Sequence, residues 1–99
     1  MLYAIICSDA PDSLPLRRPA RPAHLARVEA LRDAGRLVIA GPHPVVDAPE
    51  AGESGFTGSL IIAEFDSLSD AQAWIAADPY VSSGVFAQVS VKPFIQVLP

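Results

Sequence analysis

Cysteine is almost missing from this chain: with Cys7 alone, no internal disulfide can form. Its place in an apolar run marks it as a packing residue rather than a nucleophile. Charge is scarce as well, at 18% of residues against 51% hydrophobic, a balance too apolar for a disordered chain. There is no basic excess. The net charge is -4 and the pI about 4.8, so the electrostatic footprint of a nucleic-acid partner is lacking. The longest apolar runs, Leu2 to Cys7 and Leu60 to Ala63, fall far below the ~20 residues that span a bilayer, and no membrane partner is expected. No basic and apolar leader precedes the first strand, so a soluble cytoplasmic location is the expectation. The glycines at 52, 55 and 58 match no dinucleotide or P-loop cradle, and His24, His43 and the scattered carboxylates have no metal-ligand spacing. Neither a cofactor nor a metal is expected.

What remains is a single domain over 1–99, of a size for which one two-layer core is the natural solution. Its apolar content is high for so much surface, which suggests a second subunit. Leu2 to Cys7 reads as a strand with both faces apolar, ended by the loop around Pro11. The stretch from Leu14 to Arg21, with prolines at 15 and 19, reads as the approach to a helix; Arg17, Arg18 and Arg21 read as a solvated edge in preference to an anion-attracting rim. The helix is expected over 21–35, with Pro22 in its first turn and Gly35 as its stop. Val28, Leu31 and Gly35 form its inward stripe, and His24 falls in the middle of that stripe. An inward imidazole needs a hydrogen-bonding partner or a chemical role.

Arg36 to Ala40 makes the second strand, expected to end abruptly at Gly41-Pro42-His43-Pro44. Residues 45–57 read as a loop long enough to be a lid or binding loop, and Gly58 to Phe65 as a buried third strand. Ser67 caps a second helix, with Asp70 three residues on, which Pro79 ends. Asp78 extrapolates to the stripe of Ala71 and Ile75, so its carboxylate also leaves on the inward side. Tyr80 to Gly84 is a connector. Val89, Val91, Ile95 and Val97 then alternate with polar residues as a long strand, in which Pro93 points to an edge or bulge. The βαββαβ order suits an α+β, ferredoxin-like sandwich with an antiparallel sheet. The apolar far face of that sheet would pack on a second copy, giving a two-fold homodimer.

Met1-Leu2-Tyr3, Arg21-Pro22-Ala23-His24-Leu25, Gly35-Arg36-Leu37, Ala40-Gly41-Pro42, Ala63-Glu64-Phe65, Ala77-Asp78-Pro79-Tyr80 and Val91-Lys92-Pro93-Phe94 together resemble the YciI-like (YCII-related) family, over essentially the whole chain. The resemblance implies a dimeric α/β barrel of two ferredoxin-like protomers, in the broad class that includes muconolactone isomerase. It also implies a His–Asp pair in a pocket, here His24 and Asp78, and some relatives act on ring compounds from aromatic degradation.

In that reading Asp78 accepts a hydrogen bond from one nitrogen of His24 and the other nitrogen moves a proton, chemistry an imidazole's ordinary pKa near ~6.5 suits. Isomerisation, or elimination from an activated ring, would follow without a cofactor. The bland alternative is that the pair clips two helices together. Ser59 is a candidate hydrogen-bond donor to a substrate oxygen, and Tyr80, Arg27 and His43 are candidate pocket residues, each with a competing packing or solvated role. A non-catalytic ligand-binding or interaction module is the runner-up function, and a cofactor-independent oxygenase the third.

Overall fold

Strand β1 (Leu2–Asp9), apolar on both faces, lies inside the sheet, hydrogen-bonded on both sides. In the computed structural model, which describes residues 1–99, the elements that follow are α1 (Leu14–Asp33), β2 (Leu37–Pro44), β3 (Phe56–Glu64), α2 (Leu68–Ala76), α3 (Pro79–Ser82) and β4 (Phe86–Phe94). The sheet order is β2-β3-β1-β4, antiparallel throughout. This is the expected ferredoxin-like arrangement. Register places Ile5 opposite both Ile61 and Val91, and Cys7 opposite Ser59, on the face that the helices cover. Tyr3, Ile5, Cys7, Ile61 and Ala63 are buried there against Val28, Leu31 and Ile75. The opposite face carries Ile6, Leu60, Ile62 and Ile39, and Ile6 and Ile39 stand exposed. No helix is long and apolar enough to cross a membrane.

Helix α1 corrects the expectation most: it begins at Leu14, seven residues before the predicted start, and holds Pro19 and Pro22 in its interior. An interior proline removes a hydrogen bond and costs ~3 kcal/mol or more where the carbonyl it strands is buried. Here Pro15, Pro19 and Pro22 follow an i, i+4, i+7 spacing and all three are exposed, so the carbonyls left without donors lie on the solvent side. The opposite stripe then runs Arg17, His24, Val28, Leu31. At the C-terminus Gly35 adopts φ 72°, the Arg36 N–H donates to the Leu31 carbonyl and the Gly35 N–H to that of Arg32, a Schellman closure.

Strand β2 does not stop at Gly41 but runs through Pro42 to Pro44, with Pro42 opposite Ser59. As an edge strand it has one row of donors to spare. β3 starts at Phe56, two residues early, and the connection before it contains a single 3-10 turn at Gly52–Ser54. The Ser67 hydroxyl accepts from the Asp70 N–H at 3.1 Å, as a helix cap should. Pro79 does not simply end α2: it opens the extra turn α3, capped by Asp78, where a connector was expected. β4 is the other edge, which accommodates Pro93, but it ends at Phe94. Ile95 and Val97 lie beyond it, exposed.

Candidate active site

The site forms where α1 crosses α3 above the sheet. Asp78, fully buried, caps α3 by accepting the Tyr80 N–H at 2.8 Å. His24 Nδ1 lies 2.8 and 3.0 Å from the two carboxylate oxygens of Asp78. Arg27 Nη1 donates to Asp78 Oδ2 at 3.0 Å, and its Nη2 to the Trp74 carbonyl at 2.8 Å. Burial pushes the Asp78 carboxyl up, but the His24 and Tyr80 hydrogen bonds, the charge on His24 and the Arg27 bond outweigh it and hold it below its ordinary 3.8. An ionised carboxylate only accepts, so Nδ1 carries the hydrogen and Nε2 is the free nitrogen. The imidazole lies flat on Tyr80, ring centres 3.9 Å apart at 14°, with Phe86 edge-on to both rings. These contacts fix the plane of the imidazole.

His24, Ser59 and Tyr80 face a cavity of about 280 Å³ between α1 and the β2–β3 edge, closed along the strands by Gly41, Pro42 and Ile61. Asp78 stands behind His24, and Arg27 behind Asp78, so Arg27 braces the carboxylate and does not border the cavity. His43, a candidate at the mouth, is exposed on β2 and outside the cavity wall. It sits opposite Gly58 in the register, where Pro42, its neighbour, is the residue that borders the cavity. Cys7 is buried and its thiol is pushed up to about 12, first by burial and then by Asp78 and Asp9, so it is the packing residue expected.

Arg17 is the residue that the sequence reading misplaced. Far from a solvated edge, its side chain is 6% exposed and its Nε and Nη2 grip the Asp9 carboxylate at 2.7 and 2.9 Å. Nη2 also donates to the Gly58 carbonyl at 3.1 Å and to Ser59 Oγ at 3.0 Å. The guanidinium carbon lies 4.8 Å from the Phe56 ring centre and 5.0 Å from that of Tyr80. Ser13 adds a hydrogen bond to Asp9. Arg18, at the mouth, is exposed and pairs with Glu53. A seven-residue step back from His24 along the inward stripe lands on Arg17, and that signal was available once the helix was allowed to start at Leu14.

The model of the YCII-related domain matches residues 1–95. The chain belongs to that family. A relative named Protein YciI, from Escherichia coli O6:H1, is 59% identical over 97 residues, covering 98% of this chain and 99% of its own. An uncharacterized protein of Haemophilus influenzae is 47% identical over 97 residues, with the same coverage of each chain. Among solved structures, 5-chloro-2-hydroxyhydroquinone dehydrochlorinase (TftG) from Burkholderia phenoliruptrix, in complex with 2,5-dihydroxybenzoquinone, superposes with a TM-score of 0.84 at 29% identity, over 96% of this chain and 94% of that one. The family match takes in both His24 and Asp78, and both edges of the cavity.

Proposed function

We propose that this YCII-related protein is a cofactor-free acid–base enzyme of lyase or isomerase type, acting on a small cyclic or aromatic-derived metabolite. The observation that carries the reading is the His24–Asp78 pair: one ring nitrogen is held by a buried carboxylate and the other side of the imidazole borders a cavity. Nε2 takes a proton from a ring carbon or hydroxyl, and Asp78 stabilises the imidazolium that results. The proton then returns to another position of the ring, giving isomerisation. Where a neighbouring carbon carries a leaving group, the electron pair expels it and the proton passes to solvent, giving elimination. TftG, similar over nearly the whole chain, is a dehydrochlorinase of a hydroxylated ring, which supports the second outcome. The open apolar face of the sheet supports a homodimer, in which a second copy covers Ile6, Leu60 and Ile62. We place the protein in the cytoplasm on the same reading.

The test is a turnover screen of halogenated and hydroxylated quinols and of cyclic lactones, with His24→Ala alongside. Loss of a general acid–base group lowers the rate about 10²–10⁴-fold. Turnover that survives the substitution removes the imidazole from the reaction.

A further inference from the structure

Of the seven lysines and arginines in this acidic chain, three border one cavity: Arg17, Arg18 and Arg21. No aspartate or glutamate is among the residues that line it. Arg18 and Arg21 are exposed at the mouth, where water screens them. Arg17 is different. Asp9, Gly58 and Ser59 occupy its Nε and Nη2, while Nη1 makes no hydrogen bond within the chain although the side chain is 6% exposed. Nη1 is not walled off either, since among the buried side-chain nitrogens and oxygens only the Ser83 hydroxyl lacks a partner. Arg17 is one of the residues that line the cavity. Ser59 Oγ accepts from Nη2, so its own hydrogen is turned elsewhere. Tyr80 is on the same cavity wall beside the Arg17 guanidinium, which can donate to its hydroxyl oxygen and leaves the phenol hydrogen to point elsewhere. Burial raises its pKa, opposed by Arg17 and Arg21, so it stays a donor at neutral pH. Three donors therefore border a space whose lining holds no carboxylate and in which His24 Nε2 is the free side-chain base.

We propose that Arg17 Nη1 and the Ser59 hydroxyl, with Tyr80 beside them, form an oxyanion receptor, and that the ligand of this cavity is a small planar monoanion: a ring bearing an acidic hydroxyl, an enolate or a carboxylate. This rests on the proposed site and deepens it. When His24 Nε2 takes a proton from a ring carbon, the C–H bond breaks and its electron pair spreads onto the ring oxygen. Arg17 and Ser59 hold that oxygen without reorganising, because Asp9 and Gly58 already fix the guanidinium. Asp9 is a positioning residue in this scheme: it fixes the plane of the guanidinium and touches no ligand.

The probes are benzoate, its neutral isostere benzamide, and acetate, titrated into the intact protein by calorimetry and by the guanidinium and imidazole NMR signals. A charge-assisted pair of hydrogen bonds makes benzoate bind about tenfold to a hundredfold tighter than benzamide. Ser59→Ala, which leaves the ion pair intact, lowers that ratio severalfold. The double variant Asp9→Asn/Arg17→Gln, which removes both buried charges together, brings it to about one; Ser59→Ala is decisive if the double variant does not fold. Equal binding of benzoate and benzamide by the unaltered protein overturns the proposal. So does a benzoate that fails to bind at millimolar concentration, or a preference abolished by Arg21→Gln and untouched by Ser59→Ala. His24→Gln separates the two readings: the anion preference survives it, whatever becomes of turnover. Acetate binding as tightly as benzoate would keep the receptor and discard the ring.

Discussion

Asp78→Ala is the substitution with the largest consequence that the geometry allows to be worked out. The carboxylate is fully buried and receives donors from His24, Arg27 and the Tyr80 backbone. Removing it takes away the α3 cap, worth ~1 kcal/mol. It also strands a guanidinium and an imidazole N–H; breaking a buried pair costs about 3–5 kcal/mol, less here because the Arg27 side chain is 26% exposed and regains some water. The sum is about 3–4 kcal/mol, a large share of the ~5–15 kcal/mol that holds a domain together. For a domain of this size that lowers Tm by roughly 12–30 °C. Asp78→Asn keeps an acceptor for the Tyr80 N–H but loses the charge and turns an NH2 toward Arg27 Nη1, so it should lose about 1 kcal/mol less than Asp78→Ala, the share of the cap. Urea titrations at pH 7 and one fixed protein concentration, followed by far-UV dichroism and by Trp74 fluorescence, measure both variants. A loss below about 1 kcal/mol for Asp78→Ala refutes the account of the carboxylate as the junction of α1 and α3. Equal losses for Ala and Asn would remove the cap from it.

The same carboxylate gives a pH dependence: its folded pKa is depressed, so its contribution is complete above the unfolded value near ~3.9 and is lost as pH falls through the folded one. The gap in Tm between the unaltered protein and Asp78→Asn should therefore shrink as pH is lowered from about 5 to about 2, and a gap that widens is the wrong sign. His24→Asn offers Nδ2–H in place of Nδ1–H; it should stay within about 1 kcal/mol of the unaltered stability in urea while abolishing any turnover that His24 supports. Cys7, with its thiol near about 12 and its side chain buried, should react with a disulfide reagent at pH 8 only as fast as the protein unfolds, and a rapid native-state reaction would contradict that. In Gly58→Ala the new Cβ would lie 2.1 Å from the Cys7 carbonyl oxygen. β3 has to move away from β1, a loss of about 3 kcal/mol or more by denaturant titration, with the Arg17 to Ser59 hydrogen bond loosened in step.

Much of the layout was legible because it rests on periodicities that survive in short segments. Leu2 to Cys7 reads as a strand with two apolar faces, one for the helices, and Ser67 with Asp70 as a cap, and the structure has the strand, its helix-covered face and the cap. The inward aim of His24 followed from the helical period; that of Asp78, 54 positions on, was only an extrapolation of the α2 period, and the structure sets it instead by the cap that opens α3. Most of what failed did so at prolines, each taken for the boundary of an element. Pro19 and Pro22 sit inside α1 because their stranded carbonyls face water, Pro42 lies within β2 because that strand is an edge, and Pro79 starts a turn. Each is a tertiary circumstance that overrides a local rule. Moving the start of α1 to Leu14 is also what turns Arg17 from a presumed surface charge into a buried one. The error in the helix boundary and the missed residue are one error.

His24 and Arg17 share a design that dissolves the choice between a structural pair and a chemical one. Arg27, which bridges Asp78 and the Trp74 carbonyl, already clips α1 to the turn that follows α2. A further donor at position 24 serves the fold through Nδ1 alone, and nothing in the fold uses Nε2. Arg17 repeats the division: Nε and Nη2 tie α1 to the end of β1 and the start of β3, while Nη1 is left over. A residue selected only to hold elements together gains nothing from a second polar edge kept without a partner beside an otherwise apolar wall, because a polar group removed from bulk water without a partner is destabilising. Both spare edges belong to residues that line the same cavity, and both side chains rest on the Tyr80 ring. The stabilising half of each side chain is what makes the other half rigid, so the fold's own hydrogen bonds supply the preorganisation that a proton acceptor and an oxyanion receptor require.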